Sequence, residues 1–265
     1  MLKMTKMISN WTIGRASCFI KQKMQSSSDS AGSSALERVK PHQDRKRVRV
    51  DHEPDVFVKN LLRTGLETWR SLWRHGTNEL RVQNILHEMD PAWIDQLWEP
   101  ELDWNVPCRM GLMRRGQRLF FDAEQPEGSQ YQFAGQTLRS HPMTEALQRL
   151  LTLVRRYSSN FNEILINEYQ PGQKLGAHQD KEHTLCPSAG VIALTLLRDP
   201  TVEGRVFKLT DAQTGEVLVQ HRTGHAELLW MTGPEFQRIT KHAILSGKDT
   251  RRSFTVRARK IKPVD

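Results

Sequence analysis

The chain has 265 residues, Lys+Arg 39 against Asp+Glu 30, and a formal net charge of +9. Residues 1–50 carry 11 Lys+Arg and 3 Asp+Glu, whereas residues 51–265 carry 28 and 27, so the excess charge belongs to the leader and a uniformly basic, histone-like protein is excluded. No apolar stretch is long enough to span a bilayer, and three Cys (Cys18, Cys108, Cys186) without a CxxC pair make neither a disulfide framework nor a structural zinc site.

In chain order, residues 1–28 contain no acidic residue and have the composition of a mitochondrial transit peptide or of a basic tail. Ser26–Ser34 has a linker composition, and Arg45–Arg49 is a short basic run suited to nuclear import or to touching phosphates. Residues 1–52 are expected to be a disordered basic leader and 53–265 the folded domain. Val56, Leu61, Leu62, Leu66, Trp69 and Trp73 recur at mostly helical spacing, which predicts a helix over 56–73. A second helix is predicted from Pro142 to Phe161, with Pro142 at its first position and Leu147, Leu150, Leu151 and Val154 as its buried stripe.

From Glu163 onward the pattern changes to short β-type runs: 164–169, 190–197, 205–209, 217–221, 226–231, 242–245 and 253–257. Turn signals such as Pro171-Gly172 and Thr214-Gly215 separate several of them. The expected class is α+β, with a jelly-roll core at about 160–260 and helices of the first half packed outside it.

Three features of this block carry chemistry. His178-Gln179-Asp180 follows Pro171-Gly172, His242 lies on a later strand, and Arg251 and Arg257 lie on the last one. Two imidazoles and a carboxylate on one face of a metal form the facial triad of non-haem Fe(II) oxygenases, leaving positions open for a bidentate co-substrate and O₂. An adjacent Arg can grip a 2-oxoglutarate carboxylate through a two-point fork. His-x-Asp alone recurs by chance, a lone His242 reads equally as a core histidine, and zinc hydrolases also use such ligands. Zinc hydrolysis, however, gives no role to the Arg-bearing strand.

The stretches ILINEYQPGQKLGAHQDKE (164–182) and GHAELLWMTG (224–233), then His242 and Arg251-x-Ser253-x-Thr255-x-Arg257, resemble the AlkB-type Fe(II)/2-oxoglutarate dioxygenases. The likeness is closest to the branch that repairs alkylated DNA, and it extends upstream through Tyr131–Leu138 and Pro107-Cys108-Arg109. It implies a double-stranded β-helix with flanking N-terminal helices. It implies that His178, Asp180 and His242 bind Fe(II), and that Arg251 pairs with the distal carboxylate of 2-oxoglutarate. Arg257 would sit at the carboxylate and keto end, with Asn167, Tyr169 and Thr255 completing the pocket. Tyr131, Phe133 and Glu182 would meet the substrate, Phe133 by stacking on a flipped base and Glu182 by reading its exocyclic amine.

The implied reaction is oxidative demethylation of N1-methyladenine and N3-methylcytosine in DNA, releasing formaldehyde, succinate and CO₂. Both bases are cationic, which suits an aromatic face and a carboxylate. A duplex base must first be flipped out. RNA or protein substrates, and a non-catalytic jelly-roll binding module, are the alternatives. Three departures stand out: Ser253 replaces the usual Asn, only eight residues separate His242 from Arg251 and call for a tight hairpin, and no apolar finger precedes Pro107. A monomer without membrane association is expected. It is placed in the nucleus, with the mitochondrion as the alternative.

Overall fold

The computed structural model describes residues 68–108, 111–122, 130–133 and 136–260, with backbone alone at 108, 111–113, 130–133 and 136–137. The leader and the first part of the 56–73 helix lie outside the described residues.

Three layers make up the domain. The first is a nine-stranded sheet among the described residues, which includes β1 (Arg70–His75), β2 (Asn78–Asn84), β5 (Gly116–Phe121), β6 (Gln130–Phe133) and β7 (Gln136–Pro142). It also includes β8 (Glu163–Tyr169), β10 (Val191–Leu197), β13 (Glu227–Thr232) and β15 (Arg251–Arg257). Its spatial order is β1-β2-β13-β10-β15-β8-β5-β7-β6. Facing it is a four-stranded sheet, β12-β11-β14-β9, made of β9 (Leu175–His178), β11 (Val206–Asp211), β12 (Val217–Arg222) and β14 (Thr240–Ile244). A small hairpin joins β3 (Val106–Cys108) to β4 (Gly111–Met113). This is the jelly roll that the sequence leads one to expect.

Helices α1 (Pro91–Gln96) and α2 (Glu145–Val154) form the third layer. They cover the outer face of the large sheet: Trp93, Leu97, Leu147, Leu150 and Leu151 pack with Ile164, Ile166, Ile192, Leu194, Phe254 and Val256. Alternate residues of the same strands point inward, where Leu229 and Met231 meet Phe207, Leu209, Phe236 and Ile244 between the sheets. The outer face is thus closed by helices, and the inner face is free to build a site.

Three expectations need correction. From Arg70 the 56–73 segment is strand, not helix: β1 pairs antiparallel with β2, with an irregularity between Ser71 and Trp73. Trp69 and Trp73, four apart, therefore do not share a helix face. Trp69 packs with the outer core and Trp73 with the inner one. Pro142 ends β7 instead of opening α2. Thr144 caps that helix, its hydroxyl accepting from the Leu147 amide at 3.3 Å. The link from His242 to Arg251 is no hairpin, because β14 and β15 belong to different sheets. It crosses between them and is held where the Gly172 amide donates to the Gly247 carbonyl at 2.8 Å.

Candidate active site

Register brings the metal-ligating candidates together. On the inner sheet His178 of β9 stands directly opposite His242 of β14, with ring centroids 4.1 Å apart. Asp180, two residues past His178, returns its carboxylate to both rings: Oδ1 lies 3.7 Å from His178 Nε2 and Oδ2 lies 3.8 Å from His242 Nε2. One donor atom from each of the three lies within 4.8 Å of the others, a separation that a single ion can bridge.

The protonation pattern suits ligation. The His178 Nδ1 faces the Gly176 carbonyl at 2.9 Å, so the proton belongs on Nδ1 and the lone pair on Nε2. Burial, and then the neighbouring His178, holds the His242 imidazole well below the ordinary histidine range, and it is neutral at pH 7. Asp180 is the hard anionic donor. Gln179 turns the other way and donates to the Thr240 carbonyl at 2.9 Å, fixing the segment between the two ligands.

The adjoining pocket is walled by the inward residues of β8 and β15: Leu165, Asn167 and Tyr169 on one strand, Arg251, Ser253, Thr255 and Arg257 on the other. The two strands pair antiparallel with Arg251 opposite Tyr169 and Ser253 opposite Asn167. Arg251 is 1% exposed. Its Nη2 donates to Thr195 Oγ1 at 3.2 Å, while Nε and Nη1 have no protein acceptor. Two unsatisfied donors on a buried guanidinium fit a carboxylate that the chain itself does not supply. Arg252 alternates to the outer face, where Nε donates to Glu168 at 2.7 Å and Nη1 to the Leu97 carbonyl at 3.1 Å.

The sequence model of the 2OG-Fe(II) oxygenase superfamily matches residues 60–259. The chain belongs to this superfamily. Fe(II) and 2-oxoglutarate are accordingly its cofactor and co-substrate, and the triad and the Arg251 donors fit both. A curated relative is the "RNA replication protein" of Grapevine virus A (isolate Is 151), 29% identical over 128 residues. That stretch is 48% of this chain and only 7% of the viral protein. Two solved structures are similar to this chain. One is OsALKBH1, with 17% identity, TM-score 0.44, and 72% of this chain and 100% of that chain covered. The other is a Pseudomonas putida prolyl-4-hydroxylase, with 16% identity, TM-score 0.43, and 70% and 95% covered.

Within this oxygenase, the other substrate-facing candidates are placed unequally. Tyr131 and Phe133 lie two apart on β6, at the edge of the large sheet beside β7, but their side chains are outside the described set. Glu182 lies two residues past Asp180, with its Oε1 4.0 Å from Arg257 Nη1. No helix among the described residues is long and apolar enough to cross a membrane.

Two arginines that the sequence reading passed over shape the pocket. Arg115 lines it and donates from Nε to Asn167 Oδ1 at 2.9 Å, fixing that amide. Arg205 is fully buried beside Tyr169. Its Nε donates to Asp249 Oδ1 at 3.0 Å, and its Nη2 to the carbonyls of Gln170 and Asp249 at 2.9 and 2.6 Å. It thereby ties the loop after β8 to the loop before β15 and sets the distance between Tyr169 and Arg251. Both partners lie tens of residues away in sequence, so no local motif marks either arginine.

Proposed function

We propose that this oxygenase demethylates alkylated nucleobases, N1-methyladenine and N3-methylcytosine, in DNA. Fe(II), held by His178, Asp180 and His242, would supply O₂ activation coupled to decarboxylation of 2-oxoglutarate. One oxygen atom then goes to succinate and one to the methyl group, and the hydroxylated methyl leaves as formaldehyde. The chain's own part is to bind and orient. Arg251 takes the distal carboxylate, and Asn167, Tyr169, Thr255 and Arg257 line the rest of the co-substrate pocket. Phe133 stacks on the base and Glu182 faces its positive charge.

The observation that carries this reading is the position of Glu182. It is a second carboxylate on the segment that bears Asp180, only 13% exposed, and 4.0 Å from Nη1 of Arg257, which lines the co-substrate pocket. A largely desolvated acid there favours a cationic substrate over a neutral one.

RNA is the second reading, because the viral relative is an RNA replication protein. Incubation of the Fe(II)-loaded enzyme with methylated oligonucleotides, single- and double-stranded, DNA and RNA, followed by mass spectrometry, separates the two. Loss of the methyl group from DNA supports the first reading. Loss from RNA alone replaces it with the second, and loss from neither removes both. We place the protein in the nucleus as a monomer. A fluorescent fusion of residues 1–50 that enters mitochondria would overturn the compartment.

A further inference from the structure

Asp180 lies past the last ladder pair of its own strand. β9 ends at His178, which stands opposite His242 on β14, and Asp180 comes two residues later. A metal ligand outside a ladder needs something else to hold its backbone. The short helix α3 (Phe236–Ile239), just before β14, provides it. The Asp180 amide donates to Gln237 Oε1 at 3.0 Å. In return, the Gln179 side-chain amide reaches the end of α3 and donates to the Arg238 and Thr240 carbonyls at 3.2 and 2.9 Å. Each segment thus grips the other's backbone through a glutamine.

The support is firm. Phe236 is 1% exposed and packs into the core between the sheets. The Glu235 amide donates to Asn78 Oδ1 at 3.0 Å, and the Thr240 hydroxyl to the Phe236 carbonyl at 2.8 Å. Gln237 Nε2 turns to Met231 Sδ at 3.8 Å, so the oxygen end of its amide faces Asp180. Because α3 runs directly into the strand of His242, a tie from α3 to Asp180 sets the separation between ligands on two different segments. The His242 ring has no hydrogen-bonded brace of its own. Its Nδ1 is buried without a partner among the described residues, and it is steadied by stacking on Phe207 at 5.8 Å. Alignment of the donor set therefore falls on backbone position, which outer-shell hydrogen bonds control.

We propose that Gln237, with Gln179 as its counterpart, is a positioning residue for the metal centre. The two glutamines form a reciprocal clip that holds Asp180 where its carboxylate meets His178 and His242 before a metal arrives. Both bond to backbone and not to the reacting groups. The assignment is independent of the nucleobase reading above.

The test titrates the full-length, metal-free protein with Mn(II) by calorimetry and follows thermal unfolding of the same samples before metal is added. Gln237 borders a cavity of about 420 Å³, where a truncated side chain would let a water replace the lost acceptor, so Leu is the replacement of choice. Gln237→Leu should weaken Mn(II) roughly 10–100-fold, the usual cost of losing an outer-shell partner. Its metal-free unfolding temperature should stay at the parent value. Gln237→Asn is neutral but one methylene short of the Asp180 amide, and should also bind weakly. Gln237→Glu keeps an oxygen at the same reach and should bind at least as tightly as the parent. Gln179→Leu should lose affinity like Gln237→Leu, and the double variant should lose little more than either, because the two ties act as one clip.

Parent-like Mn(II) affinity in Gln237→Leu overturns the proposal, and so does a Glu variant as weak as the Leu variant. A merely structural role predicts a lowered metal-free unfolding temperature and weaker binding in all three Gln237 variants. Losses that multiply in the double variant remove the shared clip. If Gln237→Leu does not fold, Gln179→Leu decides, since parent-like affinity there refutes the reciprocal tie.

Discussion

Arg251 and Arg252 are neighbours of the same chemical type, yet the fold assigns them opposite work, and replacing each by Met should separate the two roles. Arg251 has one protein acceptor, Thr195 Oγ1 at 3.2 Å, and two donors with none. Burial holds its pKa below the usual arginine value, so the ligand-free protein carries this charge at a cost. Its loss should remove about 2–5 kcal/mol of 2-oxoglutarate binding, a Kd increase of roughly 30-fold to several thousand-fold. Stability of the ligand-free protein should stay level or rise, because an apolar side chain of similar length removes a buried cation whose compensation, from the Tyr169 ring 5.6 Å away and from Asp249 and Glu227, is incomplete. Arg252 is the reverse case. It bonds Glu168 at 2.7 Å and the Leu97 carbonyl at 3.1 Å, and its guanidinium lies 5.1 Å over Trp98. Arg252→Met removes the cation paired with Glu168, leaving that carboxylate only the Gln170 amide at 2.8 Å, and should cost about 2–4 kcal/mol of stability, with the 2-oxoglutarate Kd changed little. Urea denaturation of the ligand-free protein and calorimetry of the Mn(II)-loaded protein read the two quantities separately. Intact 2-oxoglutarate affinity in Arg251→Met, together with a loss of stability like that of Arg252→Met, would refute the assignment.

Asp180→Ala and His178→Ala should abolish metal binding and turnover while the unfolding transition stays cooperative; full activity of Asp180→Ala with added Fe(II) would remove the triad. Burial depresses the pKa of His225 as well as that of His242, so both are neutral in the fold and protonate more readily when unfolded. Stability of the metal-free protein is therefore fully present above about pH 6.5 and is lost progressively as pH falls below it; urea curves superimposable at pH 7.5 and 5.5 would contradict this. Gly247→Ala would set a Cβ 2.5 Å from Asp249 Oδ1 and 2.7 Å from Arg205 Cγ, displacing the clamp at a cost of about 1–3 kcal/mol measurable by thermal unfolding. Deleting residues 1–50 should reduce salt-sensitive affinity for nucleic acid, seen as a shallower slope of log K against log salt, and leave 2-oxoglutarate affinity unchanged.

Most strands from Glu163 onward were legible because turn signals bound them and their apolar residues cluster in short runs, whereas β9 (Leu175–His178), with a Gly and a single large apolar residue, was not. The parity of Arg251, Ser253, Thr255 and Arg257 was legible for a simple reason: a period of two on a strand needs no tertiary information. The first half was harder to read. β5 is buried on both faces over most of its length, so Gly116–Phe121 shows no alternation to mark it as strand. Trp69 and Trp73 misled because a spacing of four suits one helix face, and the irregularity that parts them in β1 leaves no trace in composition. Arg205 and Gln237 were invisible for another reason. Each is defined by partners that only the closed fold brings near, and an isolated Arg or Gln reads as a solvated residue.

The short strand β9 has a consequence for handling the protein. It is the last strand of the inner sheet, and its register with β14 rests on two pairs, His178 opposite His242 and Leu175 opposite Ile244. Two of the three metal ligands are one of those pairs. An ion at the site is thus also a cross-strand rivet, fastening an edge that backbone pairing alone holds weakly. Chelation during purification should then do more than inactivate the enzyme: it should loosen this edge, opening it to proteases and to pairing with other chains, so that preparations depleted of metal aggregate sooner than loaded ones.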